Sequence, residues 1–338
     1  MTKIITPLTP TTIRRHEVAI YSSLAMLAGM QLDVFTPLRD GPLTSAEIAA
    51  AIAVREDKLA PLLYALINAE LLTLDGSRFS NTAEANEFLV RGKPRYLGSA
   101  HELYAQQWQQ TSHTAASIRA GAPQARLTFE AASLDELRPL YRGFHAGAVA
   151  AGRNLALLID MSRSSHLADI GGGSGGLAIG ACQVCPELRA TVVDLPNIAP
   201  VAPGFIAEAG LADRIGSLGA NVVAAPLPGH FDAAVLKAFI QVLSPGDARA
   251  ALRHVGEAMV PGGRIFILGR MLDDTRLSPR DTVGQNLLFL NIYDDGQAYT
   301  ERNHRDWLTE AGFDDITVTF EGLPGGISLV SAHKRTVA

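Results

Sequence analysis

The sequence predicts a chain in two parts: a mainly α-helical N-terminal domain of winged-helix pattern, and an α/β domain with a mostly parallel sheet. Three observations predict this. From residue 163 onward, short apolar runs alternate with helical stretches, the pattern of βα units. The last two runs, 315–320 and 327–332, are joined only by a loop containing Gly322-Leu-Pro-Gly-Gly326. A loop that short cannot be a crossover, so this pair must run antiparallel. Before residue 95, three helical stretches precede a hairpin signal. The expected divisions are 1–95 for the winged helix, 96–162 for a helical linker or lid, and 163–338 for the α/β domain.

In order along the chain, Val18, Ile20, Leu24, Leu27, Met30, Leu32, Val34 and Phe35 suit one or two buried helices between Thr12 and Leu38. Gly41-Pro42 breaks the pattern, and Thr44 or Ser45 caps the next helix, with Glu47 in its first turn. Residues 55–69 form a third helix with Leu59, Leu62, Leu63, Leu66 and Ile67 on one face. Leu71 to Ser80 reads as a hairpin turning at Asp75-Gly76. DNA binding is the obvious reading of such a shape. However, the third helix sets Glu56, Asp57 and Glu70 against only Arg55 and Lys58, and a phosphate-facing helix would be basic. The long apolar first helix, with little domain to cover it, favours a dimer interface.

Residues 97–119 and 137–161 read as helices that bridge the two halves and roof a pocket. They carry Tyr104, Gln107, Trp108, Tyr141, Arg142, Phe144 and His145, a dense set of polar and aromatic groups just before the α/β domain. Interhelical packing explains any one of them equally well.

The chemistry centres on Leu167-Ala-Asp-Ile-Gly-Gly-Gly-Ser-Gly-Gly176. A strand, a glycine turn and a helix follow one another here. The glycines leave backbone bare to a ligand, and the helix N-terminus offers unpaired N–H groups. Residues 190–194 then form a second strand ending in Asp194, placed to reach the two hydroxyls of a ribose. A nucleoside-containing cofactor follows. Gly172, Ser174 and Gly176 also fit a serine nucleophile elbow, but that fold needs strands upstream where helices stand. Gly171, Gly173 and Gly176 fit a nicotinamide loop, and the terminal antiparallel hairpin speaks against it. Further strands are expected at 213–220, 231–237 and 264–269, with helices at 196–210, 248–259 and 307–311 and a turn at Pro261-Gly-Gly263.

Composition bounds the partners. The net charge of −5 gives no basic field for nucleic acid. No apolar run approaches the ~18 residues of a membrane span. Two cysteines in 338 residues fit a reducing, cytoplasmic setting. Cys182 and Cys185 form a CxxC pair on a helix with no second pair, so core thiols are expected and no bound metal.

Over nearly its whole length the chain resembles the small-molecule O-methyltransferases with an N-terminal winged-helix dimerisation domain, the hydroxyindole and caffeate type. The resemblance is carried by Asp169-Ile-Gly-Gly-Gly-Ser-Gly175, Val192-Val-Asp-Leu-Pro196, Phe231-Asp-Ala-Ala-Val-Leu-Lys237, Pro261-Gly-Gly263, Glu301-Arg302 and Glu310-Ala-Gly-Phe313. It implies a Rossmann-like class I methyltransferase domain, S-adenosylmethionine as cofactor, a small-molecule acceptor and a homodimer through the N-terminal domain. By the same resemblance Asp169, Gly171 and Gly173 belong to the cofactor loop, with the two glycines passing the methionine part. Asp194 holds the ribose, Leu195 lines the adenine and Lys237 sits beside the cofactor.

Two departures matter. The family's catalytic His-Asp pair falls here on Gln241 and Val242, and glutamine cannot accept a proton near neutrality. The acid that in the family follows the glycine of Leu218-Gly-Ala-Asn221 is Ala220, leaving Asn221 for the adenine contact. A phenol must lose its proton as the methyl arrives, so a missing base costs ~10²–10⁴ in rate. A thioether or tertiary amine needs no base. The expectation is therefore S-methylation of a small methylthio acid, as in the methylthiohydroxybutyrate S-methyltransferase relatives of bacterial dimethylsulfoniopropionate synthesis. Arg142 or His145 would pair with the acceptor carboxylate, while Tyr141, Gln107, Gln241, Asn291 and Tyr293 shape its pocket. The alternatives are O- or C-methylation with His145 or Asp294 as relocated base, and a fold that uses the cofactor without turnover.

Overall fold

The structure is a computed structural model, which describes residues 8–126, 132–320 and 326–336. The chain divides into two compact units between Gln109 and Gln110.

In the first unit, α1 (Thr11–Gln31) is followed by β1 (Leu43–Thr44), α2 (Ser45–Ala51), α3 (Glu56–Asn68), β2 (Leu72–Asp75), β3 (Arg78–Asn81), α4 (Ala83–Phe88) and the start of α5 (His101–Thr111). Thr44 caps α2: its hydroxyl accepts from Glu47 N–H while the Glu47 carboxylate accepts from Thr44 N–H. The hairpin pairs Leu72 with Asn81 and Asp75 with Arg78, and β1 adds to its β3 edge. One core gathers Val34, Phe35, Ile48, Leu63, Leu66 and Leu72. The expectation that the first helix is buried is corrected for its N-terminal half. Within α1 only Ala25, Gly29 and Met30 are buried, while Ile13, Val18, Ile20, Tyr21 and Leu24 are exposed.

The second unit opens with α6 (Thr114–Ala120) and α7 (Leu134–Leu158). The single helix expected over 97–119 is thus two, interrupted at Ser112-His113. Then come β4 (His166–Ile170), α8 (Gly176–Val184), β5 (Arg189–Asp194), α9 (Ala202–Glu208), β6 (Ile215–Gly219), β7 (Phe231–Lys237), α10 (Pro245–Glu257) and β8 (Met259–Gly269). After the short β9 (Met271–Leu272) follow α11 (Arg280–Ile292), β10 (Tyr299–Thr300), α12 (Glu301–Glu310), β11 (Phe313–Thr319) and β12 (Ser328–Lys334). The main sheet runs β11-β12-β8-β7-β4-β5-β6. Its β8, β7, β4, β5 and β6 are parallel, and β12 lies antiparallel to both β8 and β11. The antiparallel ending is as the short connection required; of Gly322–Gly326, only Gly326 lies within the described residues.

Pro261-Gly-Gly263 is not a free turn. It lies within β8, where the register against β7 shifts between Phe231 and Ala233 and Gly262 takes φ +77°. Helix α11 carried no clear apolar period in the sequence and went unassigned, although it is one of the longer helices here.

Apolar strands buried on both faces separate two clusters, one under α7, α8 and α9, the other under α10 and α12. Helix α7 lies directly against α8 because both carry small residues at the crossing. A Cβ on Gly152 would stand 2.1 Å from the Leu177 carbonyl oxygen, and one on Gly180 2.1 Å from that of Val149. This close approach brings the N-terminal half of α7 over the glycine loop. Cys182 and Cys185 are buried thiols of the core, and burial pushes the Cys182 thiol up to about 11. No helix among the described residues is long and apolar enough to cross a membrane.

Candidate active site

A cavity of about 630 Å³ opens at the C-terminal ends of β4, β5 and β7, where an open α/β sheet binds its ligands. It is within the roughly 300–1,000 Å³ usual for small-molecule sites. Its floor is Ile170, Gly171 and Asp194, and its walls include Tyr141 of α7, Leu195, Asn221, Val222, Lys237 and Phe239. Arg126, Tyr293, Asp294 and Asp295 complete it from the other side.

The glycine loop is shaped by what touches it. Gly171 (φ +68°) and Gly173 (φ +53°) adopt left-handed backbone that favours glycine. A Cβ would meet the Phe239 ring at 2.7 Å from Gly171 and the Tyr141 ring at 2.3 Å from Gly173. Gly171 N–H donates to the Val193 carbonyl at 2.8 Å. The Asp194 carboxylate accepts from Gly173 N–H and Leu195 N–H, each at 2.8 Å, and so ties β5 to the loop after β4. Burial raises its pKa, and the two N–H groups partly oppose this. Tyr141 is also held neutral, by burial and by the neighbouring Asp194.

These groups suit a nucleoside: a fixed carboxylate for a diol, bare backbone at Gly171, and apolar surface at Leu195 and Val222 for a flat ring. Asn221 lines the same wall, its Oδ1 accepting from Val223 N–H at 3.0 Å. Of the residues singled out from the sequence, Gly171, Asp194, Leu195, Asn221, Lys237, Tyr141 and Tyr293 line this one cavity. Burial pushes the Tyr293 phenol up to about 12.

Other sequence-derived residues stand elsewhere. Asp169 does not line the cavity: it is buried beneath the loop, accepting from Ala178 N–H at 3.2 Å. Burial raises it to about 7, since the single N–H offsets only part of the desolvation. Gln241 turns away from the cavity, and its Oε1 accepts from Arg270 N–H at 3.0 Å; its neighbour Val242 lines the wall instead. Arg142 is corrected from an acceptor ligand to a surface residue. Its side chain is 64% exposed, and its guanidinium forks onto Glu208 and lies over the Phe205 ring. His145 stacks on Phe205 and is hydrogen bonded through Nδ1 to Ser174 Oγ at 2.9 Å, so it braces the loop from behind. Burial lowers its pKa. That bond also absorbs the Ser174 hydroxyl of the apparent nucleophile elbow. Asn291 is wholly buried, with Oδ1 accepting from Ser117 Oγ at 2.7 Å and Nδ2 donating to Thr114 Oγ1 at 3.0 Å. It joins α6 to α11 rather than facing the cavity. Gln107 lies on α5 in the first unit, and the cavity is built from the second.

Arg126, Phe239, Asp247 and Asp295 line the cavity and were missed. Phe239 and Asp247 follow the C-terminal end of β7, a position rule that was available. Arg126 gave no signal, because only the α6–α11 network brings it there.

Residues 121–314 match the O-methyltransferase domain family, and residues 16–91 its dimerisation domain. The chain belongs to the O-methyltransferase family. It is accordingly a methyltransferase enzyme whose cofactor is S-adenosylmethionine, acting on a small molecule. It is 28% identical over 335 residues to the 3-hydroxy-5-methyl-1-naphthoate 3-O-methyltransferase of Streptomyces sahachiroi, covering 96% of this chain and 95% of that one. It is likewise 28% identical to the N,N-dimethyltransferase OxyT of Streptomyces rimosus, covering 91% and 93%. Among solved structures, the methyltransferase SibL matches with a TM-score of 0.82 at 24% identity, covering 97% and 100%. Human N-acetylserotonin methyltransferase matches at 0.77 with 23% identity, covering 99% and 100%. At those identities the structures speak for the class I methyltransferase fold.

Proposed function

We propose that this methyltransferase alkylates a neutral lone-pair atom of a small acceptor without a general base, its best form being S-methylation of a methylthio acid such as 4-methylthio-2-hydroxybutyrate. The observation that carries this is the cavity wall: among the described residues none of the nine histidines lines it. The position where the family keeps its base is Gln241, turned onto Arg270 N–H.

Asp194 would hold the ribose, Gly171 the methionine part, and Leu195 with Asn221 the adenine. Bound there, S-adenosylmethionine supplies an electrophilic methyl on a sulfonium sulfur. A thioether acceptor forms its new C–S bond from a lone pair and releases no proton, so the chain needs only to hold, align and keep the reactants dry. Tyr141 and Tyr293, both kept neutral by burial, with Phe239 and Val242, form a wall suited to that task. In the same reading the N-terminal domain forms a homodimer, supported by the exposed apolar side chains of α1 and the dimerisation-domain match.

A second reading, O- or C-methylation with Asp294 as base, is favoured by the presence of that carboxylate on the wall. Its ion pair with Arg126 counts against it, because the guanidinium occupies the carboxylate that would have to take the proton.

The test is product detection with S-adenosylmethionine and, in parallel, 4-methylthio-2-hydroxybutyrate, an aromatic amine and a catechol. Product from the thioether or the amine supports the reading. Product from the catechol alone, with a pH–rate limb that vanishes in Asp294→Asn, refutes it.

A further inference from the structure

We propose that Arg126 is the anion-recognition residue of the acceptor site, and that an acceptor carboxylate displaces Asp294 from its guanidinium. The inference rests on the reading above, that the acceptor occupies this cavity.

Arg126 is the one arginine lining the cavity among the described residues. Its guanidinium is paired with Asp294, which lines the cavity beside it. That carboxylate shows which chemical species the planar fork accepts there. Both partners are about half exposed, 49% and 54%, so the pair is screened by solvent and exchange for an incoming carboxylate costs little. Two other carboxylates on the wall have partners of their own. Asp194 accepts from two backbone N–H groups, and Asp247 accepts from Ser244 Oγ at the start of α10.

The backbone that presents Arg126 is fixed by a buried polar network. Ala125 N–H donates to the Asn291 carbonyl at 2.9 Å, and Gln124 N–H donates to Ser117 Oγ at 3.1 Å. The Ser117 hydroxyl in turn donates to Asn291 Oδ1. Ala125 also packs against Leu288, Phe289 and Ile292 of α11. A wholly buried asparagine is costly unless every partner is met. Here the partners are met, and the result is a backbone fixed at residues 124–125, from which Arg126 reaches the cavity wall. Arg142, which the sequence suggested for this role, is on the outer surface with Glu208.

The test is calorimetric titration of the full chain, saturated with S-adenosylhomocysteine, with 4-methylthio-2-hydroxybutyrate and with its methyl ester. The wild type should bind the acid about tenfold more tightly than the ester, the size of one charge-assisted contact. Arg126→Gln should bring that ratio close to one, and Asp294→Asn should raise it by removing the internal competitor. A ratio unchanged in Arg126→Gln, a ratio lowered in Asp294→Asn, or no binding of either probe to the wild type overturns the assignment. Turnover in the same samples separates the two readings. Arg126-dependent acid binding with no product from any lone-pair acceptor would refute the proposed function and keep the assignment. Product from the acid with an unchanged ratio would do the reverse.

Discussion

Asp194→Asn tests the cofactor site most directly. Each oxygen of the Asp194 carboxylate accepts one backbone hydrogen bond, from Gly173 N–H and from Leu195 N–H. An asparagine has one acceptor oxygen, so in either orientation its amide NH₂ confronts one of those donors. The substitution also removes the charge that would accept a ribose hydroxyl. Losing one hydrogen bond to a charged group costs roughly 1.5–3 kcal/mol, so S-adenosylmethionine should bind roughly 10- to 150-fold more weakly. Isothermal titration measures this, with circular dichroism confirming that the variant is folded. The pH dependence has a definite sign. Burial raises the Asp194 pKa, so the carboxylate is lost, and affinity with it, at a higher pH than for an ordinary aspartate as pH falls. Affinity within threefold of wild type in Asp194→Asn, across that pH range, would refute the assignment of Asp194 to the ribose.

Three further outcomes are expected. Asp169, raised by burial to about 7, keeps its proton in the folded chain while the unfolded chain, with a pKa of about 3.9, has released it. Its contribution to stability is thus full below about pH 4 and is lost as pH rises to about 7, and Asp169→Asn should remove that slope from denaturant midpoints measured across the window. Gly152→Ala places a Cβ 2.1 Å from the Leu177 carbonyl oxygen, a backbone atom that cannot rotate away. It should destabilise the second unit by at least about 2 kcal/mol, read as a lowered Tm. Asn291→Ala removes the side chain that joins α6 to α11 and leaves buried Ser117 without its acceptor. A loss of about 2–4 kcal/mol is expected in urea unfolding, with little change in S-adenosylmethionine affinity.

Much of this protein was legible in local sequence. Five glycines around Ser174, an apolar strand before them and Asp194 after the next strand mark the strand-loop-helix unit and its cavity, because left-handed backbone and a bare loop admit few other residues. The short connection before residue 327 likewise dictated the antiparallel end of the sheet. The acceptor side was not legible in this way. Whether Arg142 or Arg126 faces the cavity depends on α7 lying flush on α8 and on Asn291 joining α6 to α11, contacts between residues far apart in sequence. Helical spacing marked both Tyr141 and His145, but only the crossing of α7 over the glycine loop sent Tyr141 to the cavity and His145 behind it to Ser174. Gln241 shows the same division. Its identity was read from sequence, while its orientation onto Arg270 N–H was decided by the packing of β8 against β7. Backbone conformation is a local property, which sequence can dictate, whereas the direction of a side chain across a cavity is settled by non-local packing.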